Sequence, residues 1–469
     1  MSSILKPTQE QQYALNLLRK FVDSEKDQVF VLNGYAGTGK TSLIKILIGF
    51  LAGRDMPFGL MASTGRASKI LTEKAGFNAS TIHKTVYSLD VSELKEESKT
   101  KHIRFRIKAN QDDSKTIYII DESSMIADSL LAQSFTQFGT GSLLNDVFTY
   151  LDGRKVVFVG DKAQLPPING NFSPALDLDY LAKKYRITGK SFTLKDVMRY
   201  GSSAPGLAFN AGNLTQILHS GNFDHPLKIK VSSFSHMKVY GLDTRMIQDY
   251  CRLFREYGYQ EVIFIAYSNR LVASLNLEIR KLLYGNTLPD LVKGEILMVQ
   301  QNNYKHNLYN GDHIELVDIA GAAETKAGLT FLPVDVRVKE PDGYRKFRSF
   351  LIKDYLDLLS SKLSNEAEFE LTKDFMIRAK KLGIDNKKNP DAFLDFLLQD
   401  PYMNAIRARY GYAVTCHKAQ GGEWNNVFII LESSLWNPNS PKSFKFQWTY
   451  TALTRSKQNV NLNANYAIT

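Results

Sequence analysis

The sequence predicts an α/β protein of more than one domain, built on parallel sheets with crossover helices. Three observations carry this. Short continuous apolar runs recur at 28–32, 58–62, 116–120 and 155–159. Each is followed by a glycine or polar turn and then by helical periodicity, which is the rhythm of strand, turn and crossover helix. The chain has 469 residues, and at roughly 100 to 200 residues per domain that length gives two to four domains.

In chain order, the four runs read as buried parallel strands because they lack the polar alternation of a half-exposed sheet. The rhythm breaks at 86–115, a stretch dense in Lys, Glu, Ser and Asp with one alternating piece, Ile-Arg-Phe-Arg-Ile at 103–107. It reads either as a small hairpin insertion or as a solvated loop, and we adopt the hairpin. A Ser-, Gly- and His-rich stretch at 219–237 marks a linker, after which 261–266 reads as a strand and 269–283 as an amphipathic helix. From Gly294 the pattern changes to short alternating strands at 296–300, 313–318, 329–339 and 344–352, separated by Asn-Gly, Gly-Ala and Pro-Asp-Gly turns. These predict a small β-barrel inserted in the second unit. Helical periodicity with many charges fills 354–403, and a buried-strand signal returns at 427–431. The expected division is therefore 1–225 for the first unit, with 86–115 inserted in it. The second unit takes 226–293 and 402–469, and the barrel with its helical insertion takes 294–401.

Composition limits the function classes. With 43% hydrophobic and 11% aromatic residues the chain can build cores, which excludes global disorder. The longest apolar stretch, 44–52, is interrupted by Lys45 and Gly49 and falls short of the roughly 18 residues a membrane span needs. No membrane partner is expected. Residues 1–12 lack the apolar core of a secretory signal, so cytoplasmic residence is expected. Cys251 and Cys416 are the only cysteines, far apart and without CxxC spacing, so they read as buried reduced thiols and not as a disulfide or zinc site. An excess of 59 basic over 48 acidic residues gives a formal charge of +11, which suits a polyanionic partner, nucleic acid first.

The strongest local signal is Gly34-Tyr35-Ala36-Gly37-Thr38-Gly39-Lys40-Thr41, which follows an expected strand and opens an expected helix. That context makes it a phosphate-binding loop. Its glycines, including Gly37 and Gly39, let the backbone wrap a phosphate, and the N–H groups around Thr38 and the helix N-terminus bind the anion. Lys40 reaches the terminal phosphates and Thr41 ligates magnesium. ATP and Mg2+ are the expected cofactors. Hydrolysis further needs a metal carboxylate and a group that orients water, side by side at the end of a neighbouring strand. Asp121 and Glu122 follow the apolar run 117–120 and would reach the C-terminal sheet edge, where ligands of open α/β sheets bind. Asp121 is assigned to the metal and Glu122 to the water. A further strand, 155–159, exits through Gly160-Asp161-Lys162-Ala163-Gln164-Leu165-Pro166-Pro167, from which Gln164 would hydrogen-bond the γ-phosphate or its water.

With these residues in order, the chain resembles the superfamily 1 nucleic-acid helicases of the RecD-like, 5′-to-3′ class, the small phage members above all. The resemblance rests on the motifs above together with several others. These are residues 8–11, Ser63-Thr64-Gly65-Arg66-Ala67, Ser80-Thr81-Ile82-His83, Val197-Met198-Arg199, Thr415-Cys416-His417-Lys418-Ala419-Gln420-Gly421 and Tyr450-Thr451-Ala452-Leu453-Thr454-Arg455. The motifs run through nearly the whole chain in the family's order, while 86–115 and 320–403 carry little likeness. Ala62-Ser63-Thr64 departs from the family, which commonly has proline before that threonine.

The resemblance implies two RecA-like P-loop domains, a β-hairpin insertion in the first and an SH3-like β-barrel insertion in the second. It implies that Gln11 contacts adenine, that Arg199 and Arg455 are arginine fingers, and that Glu423 approaches the nucleotide from the second domain. By themselves Arg199 and Arg455 are ordinary basic residues. The resemblance also puts Thr64, Arg66, Thr81, His83, Thr415 and His417 along a single-strand groove, where hydroxyls and N–H groups suit sugar-phosphate contact without reading bases. His83 and His417 alternatively read as satisfied structural histidines. Phe105 has two readings: an exposed aromatic at a hairpin tip that splits the duplex, or a packing residue that seats the hairpin on the first domain.

The implied activity is an ATP-dependent DNA helicase, moving 5′ to 3′ on single-stranded DNA and separating duplexes. The alternative is a nucleic-acid-stimulated translocase that displaces bound proteins without unwinding. Expected partners are single-stranded DNA and duplex junctions, with single-strand-binding or replication proteins as further candidates. The expected setting is a monomer in a bacterial cell, encoded by a phage.

Overall fold

Strands that are apolar on both faces need cover on both faces, and two parallel sheets with flanking helices supply it. The computed structural model describes residues 7–90, 103–130, 136–168, 170–198, 204–241, 244–286, 290–340, 342–356, 363–386 and 388–469. The first sheet runs, edge to edge, through Ser80–Thr81, Phe58–Ala62, Ile117–Asp121, Val156–Gly160, Val29–Gly34 and Gly189–Leu194, all parallel. The strands Val29–Gly34 and Val156–Gly160 are buried at every position. Alternate side chains of one strand serve opposite faces. Phe30 and Leu32 join Leu15, Leu18, Leu43 and Leu47 on one side, and Val29 and Val31 join Ile120, Phe158 and Leu176 on the other. The carboxylate strand Ile117–Asp121 is not the direct neighbour of the phosphate-loop strand. Val156–Gly160 lies between them, because the most completely apolar strand takes the covered central place.

The second sheet is also parallel, in the order Met237–Tyr240, Ser456–Asn463, Trp424–Ile429, Val262–Ala266 and Ala413–Thr415. Ser456–Asn463 lies inside this sheet although it is polar. Its buried Asn461 and Asn463 are satisfied, accepting from the Tyr240 hydroxyl at 3.2 Å and from Leu431 N–H at 2.8 Å. Together the two sheets give the two RecA-like units.

Two expected boundaries move. The helix Pro205–Ser220 buries Leu207, Ala211 and Leu214 in one core with Trp448, Leu453, Val460 and Leu462. It therefore packs with the second sheet, and the chain crosses before residue 205, not at 225. Ala408–Tyr410 pairs antiparallel with Ile296–Val299, so the inserted segment ends after Tyr410, not at 401. This insertion is an antiparallel sheet of Glu324–Lys326, Leu329–Glu340, His313–Ile319, Ile296–Val299 and Ala408–Tyr410, with Gly343–Ile352 paired to Leu329–Glu340. It also carries the helices Asn365–Lys381 and Pro390–Gln399.

The segment at 86–115 contributes Tyr87–Asp90 and Ile103–Ile107, paired antiparallel, with Thr136–Phe138 parallel to the latter. Residues 91–102, which connect the first two strands, lie outside the described residues. Phe105 sits mid-strand opposite Leu89, its ring stacked on Phe138 at 4.6 Å, half-buried against the core of the first domain. The alternation turns Phe105 and Ile107 inward and leaves Arg104 and Arg106 exposed, so Phe105 is the packing residue and not a hairpin tip. Phe105→Ala should therefore lower stability by about 2 kcal/mol, read as a lower thermal unfolding midpoint. Strand separation and ATP turnover should fall together only as far as folding does.

The insertion touches the first domain in several places. Lys69 pairs with Asp312 at 2.6 Å, and Leu89 packs on the cluster of Phe375, Ala379 and Phe393 in the inserted helices. Gly65, at the start of the helix Gly65–Ala75, lies against Tyr309, and a Cβ there would stand 1.9 Å from Tyr309 Cβ. That atom cannot swing aside, so Gly65→Ala should cost about 3 kcal/mol or force the contact apart. Unfolding should shift to lower temperature, and Tyr309→Gly in the same chain should restore part of the loss. Among the described residues no helix is long and apolar enough to cross a membrane. Cys251 and Cys416 are buried and unbridged.

Candidate active site

The phosphate loop leaves the strand Val29–Gly34 and enters the helix Lys40–Ala52 through Gly39, whose φ of +83° is left-handed. Only glycine takes that conformation at little cost, and here a Cβ would also meet Gln11 Nε2 at 2.5 Å. Gln11 is held at both ends of its amide. Its Oε1 accepts from Thr8 N–H at 3.0 Å in a capping box, and its Nε2 donates to Thr38 O at 2.9 Å. The first helix is thereby tied to the loop. Thr38 is buried and its hydroxyl donates to Tyr35 O at 2.8 Å. Lys40 Nζ donates to Gly34 O at 2.6 Å and to Tyr35 O at 3.1 Å, which keeps the ammonium over the loop.

A cavity of about 320 Å³ opens beside the loop, within the usual range for ligand clefts. Gly37, Gly39, Lys40, Thr41, Asp121, Glu122 and Gln164 line it from the first domain, and Gly421, Glu423 and Arg455 from the second. Asp121 and Glu122 thus meet the loop across the intervening strand. Glu122 has φ +53°, a left-handed conformation costing a non-glycine residue about 1–2 kcal/mol, and its N–H donates to Asp121 Oδ1 at 2.8 Å. Burial raises the pKa of both carboxyls; the neighbouring Asp121 charge raises Glu122 further, while Lys40 opposes both shifts. Gln164 is buried, and its Oε1 has no partner among the described residues.

Arg455 is buried and fixed by its own domain. Nε donates to Thr451 O at 3.0 Å, and the terminal nitrogens donate to Gly422 O and Thr454 Oγ1, each at 3.2 Å. Its charge is felt at Glu122. Arg199 lies outside the described residues. Its neighbour Met198 lines the cavity and donates its N–H to Gly37 O at 2.8 Å. Lys74, which sequence reasoning did not single out, also lines the cavity and acts electrostatically on Asp121; one lysine on a helix gave no signal.

The expected strand-contact residues fall in three groups. Thr64 caps the helix Gly65–Ala75, its hydroxyl accepting from Ala67 N–H at 3.2 Å, and faces Gly421. Arg66 lies with its guanidinium 4.2 Å above the Trp424 ring, and burial draws its pKa down to about 10. It is an interdomain stacking residue here, because the indole offers a cation–π seat where the two domains meet. Thr81 is buried and caps the short helix Ile82–Val86, accepting from Lys84 N–H. His83 packs edge-on to Phe138 at 5.1 Å beside Tyr87, and burial lowers its pKa to about 4, so it is neutral at ordinary pH. His83, Tyr87 and Phe105 thus form one packed group around Phe138.

Thr415 opens the short helix Cys416–Ala419, and His417 on it is half-buried, with a pKa lowered by that desolvation. Thr415 lines a second cavity, of about 230 Å³, with Asn269, Gln300, Arg409 and Lys418. Burial and Arg409 draw the Lys418 pKa down to about 8. One terminal nitrogen of Arg409 is buried without a partner among the described residues.

Two family models match the chain. The model of the AAA domain matches residues 7–211, and that of the UvrD-like helicase C-terminal domain matches 410–463. The RecD subunit of the RecBCD enzyme of Buchnera aphidicola is 21% identical, over 97% of this chain and 75% of its own length. The ATP-dependent DNA helicase dda of Enterobacteria phage T4 is 26% identical over 64% of this chain and 62% of its own. The crystal structure of a Bacteroides Pif1 helicase in complex with ADP-AlF3 and ssDNA superposes with a TM-score of 0.51 at 16% identity, over 98% of this chain and 93% of that one, which establishes a common fold.

Proposed function

We propose that this chain, whose relatives include the RecD, dda and Pif1 helicases, is a superfamily 1 ATP-dependent DNA helicase which moves 5′ to 3′ on single-stranded DNA and separates duplexes. The observation that carries the reading is the two-sided cleft, in which Lys40, Thr41, Asp121, Glu122 and Gln164 face Glu423 and Arg455 from the other domain. A nucleotide bound there touches both halves, so its hydrolysis changes how they sit together.

The donor set fits a nucleoside triphosphate with a hard divalent cation. Backbone N–H groups and an ammonium suit phosphates, and a hydroxyl beside a carboxylate suits Mg2+. Magnesium, when bound, neutralises phosphate charge, and Thr41 with Asp121 would hold it. Gln11 lies beside the loop where adenine would reach. Glu122, when ionised, accepts a hydrogen bond from the attacking water and can take its proton, and Gln164 has a carbonyl oxygen without a partner among the described residues for the same water's second proton. Arg455 and, by family likeness, Arg199 neutralise charge on the transferring phosphoryl group.

For the strand, Thr415, His417, Lys418 and Arg409 offer hydroxyl, imidazole and cationic donors, a set that suits a sugar-phosphate backbone. Thr64 extends it from the first domain. We assign the antiparallel insertion as the SH3-like barrel and the Tyr87–Ile107 pair of strands as the hairpin insertion. The likeness to the T4 protein supports a phage-encoded enzyme, and we place it in bacterial cytoplasm, acting as a monomer on single strands and junctions. Single-strand-binding and replication proteins are its candidate partners.

The test is strand separation on duplexes with a 5′ or a 3′ single-stranded tail, with ATP turnover recorded alongside. Separation of only the 5′-tailed duplex is expected, with turnover stimulated by the strand. Stimulation without separation on either substrate would favour the protein-displacing translocase, and turnover indifferent to DNA would remove the motor.

A further inference from the structure

The loop that presents Gln164 belongs to the first domain, yet side chains of the second domain hold it. Leu165, next in the chain, donates its N–H to Thr451 Oγ1 at 2.9 Å, and its carbonyl accepts from Gln420 Nε2 at 3.2 Å. Both polar groups of that residue's backbone are therefore satisfied from across the cleft. At the other end of the loop, the Tyr450 hydroxyl donates to Asp161 Oδ2 at 2.8 Å and accepts from Ala36 N–H of the phosphate loop at 2.8 Å. All of these side chains are buried. The Thr451 hydroxyl gives its own proton to Gln447 O at 2.7 Å, which leaves its lone pairs for Leu165. The carbonyl of the same Thr451 accepts from Arg455 Nε at 3.0 Å. One residue thus fixes both the arginine and the peptide that follows Gln164. Gln420 stands three positions after His417, at the end of the short helix that Thr415 opens.

We propose that Thr451 and Gln420, supported by Tyr450, are positioning residues: they set Gln164 from the second domain, so that a single strand engaged at Thr415 and His417 switches on water attack in the nucleotide cleft. This rests on the functional reading above. A clamp on a peptide transmits displacement directly, because both of its hydrogen bonds must be kept or left unpaired in a buried place. When the second domain shifts on the strand, Leu165 follows, and Gln164 with it.

The experiment measures ATP turnover of the full chain with and without an oligo-dT strand, together with the affinity for that strand, in the wild type, Thr451→Val and Thr451→Ser. Valine keeps the shape of threonine and removes the acceptor; serine keeps the acceptor. Thr451→Val should lose tenfold or more of the stimulated kcat, while unstimulated turnover, KM for ATP and strand affinity stay within threefold. Thr451→Ser should recover stimulation to within threefold of wild type. Should Thr451→Val fail to fold by circular dichroism, Gln420→Met carries the same comparison. Stimulated and unstimulated turnover falling by one common factor would make these contacts structural only and overturn the proposal, as would full stimulation in the valine variant. A wild type that the strand does not stimulate would instead remove the motor reading itself, before any variant is compared.

Discussion

Arg455→Ala is expected to lower strand-stimulated ATP turnover by about 10³-fold or more, the range in which arginine fingers act. Arg455 enters the cleft from the second domain while the loop, the carboxylates and Gln164 come from the first. Its three hydrogen bonds to Thr451, Gly422 and Thr454 hold the guanidinium before any nucleotide arrives, so little ordering is needed when phosphoryl charge develops. Arg455→Lys should recover little, since a compact ammonium cannot keep the same fork of donors. Alanine also leaves the buried Gly422 carbonyl without its Arg455 donor, at about 1 to 3 kcal/mol. Thermal unfolding must therefore be measured alongside. A variant that is folded at the assay temperature and still turns over ATP within tenfold of wild type would remove the finger assignment.

Lys40→Ala is expected to lower ATP turnover by about 10²- to 10³-fold, the cost of removing one preorganised donor from a reacting group. Strand affinity should stay within a few-fold. Lys40 lines the nucleotide cleft, whereas Thr415, Lys418 and Arg409 line the other cavity. Loss of strand binding together with turnover would mean that Lys40 holds the loop in shape through Gly34 and Tyr35, and not that it serves phosphate. Turnover can be followed by phosphate release and affinity by anisotropy of a labelled strand.

What could be read from the sequence depended on how local its cause was. The strands Phe58–Ala62, Val156–Gly160 and Val262–Ala266 announce themselves because burial on both faces demands unbroken apolar residues. Gly189–Leu194 pairs at the sheet edge and is half-exposed, so it carries lysine, serine and threonine and shows no unbroken apolar run. Ser456–Asn463 hides for another reason: its asparagines are buried but satisfied by Tyr240 and Leu431, partners visible only in three dimensions. The same contrast holds at the site. The phosphate loop and the Asp121-Glu122 pair are contiguous, so spacing reveals them. Thr451, Gln420 and Tyr450 act across the cleft, and no local pattern separates them from ordinary polar residues. Arg66 and Phe105 were legible as types and not as places, because stacking on Trp424 and register opposite Leu89 are tertiary facts. The boundary at 225 followed a Ser-, Gly- and His-rich stretch, while the burial of Leu207 and Leu214 against the second sheet moved it upstream.

The interior position of Ser456–Asn463 has a consequence for biosynthesis. This strand lies between Met237–Tyr240 and Trp424–Ile429, yet a ribosome makes it about 200 residues after Val262–Ala266, a delay of roughly 10 to 40 s at ordinary elongation rates. Throughout that interval Met237–Tyr240 has no partner strand, and the apolar faces prepared by Val262–Ala266 and the helix Pro205–Ser220 lack their cover. The first domain has by then completed its own sheet on the ribosome. The nascent second domain is thus the half that would need a chaperone, and a chain cut short ahead of Ser456 would leave a folded first domain joined to a second sheet unable to close.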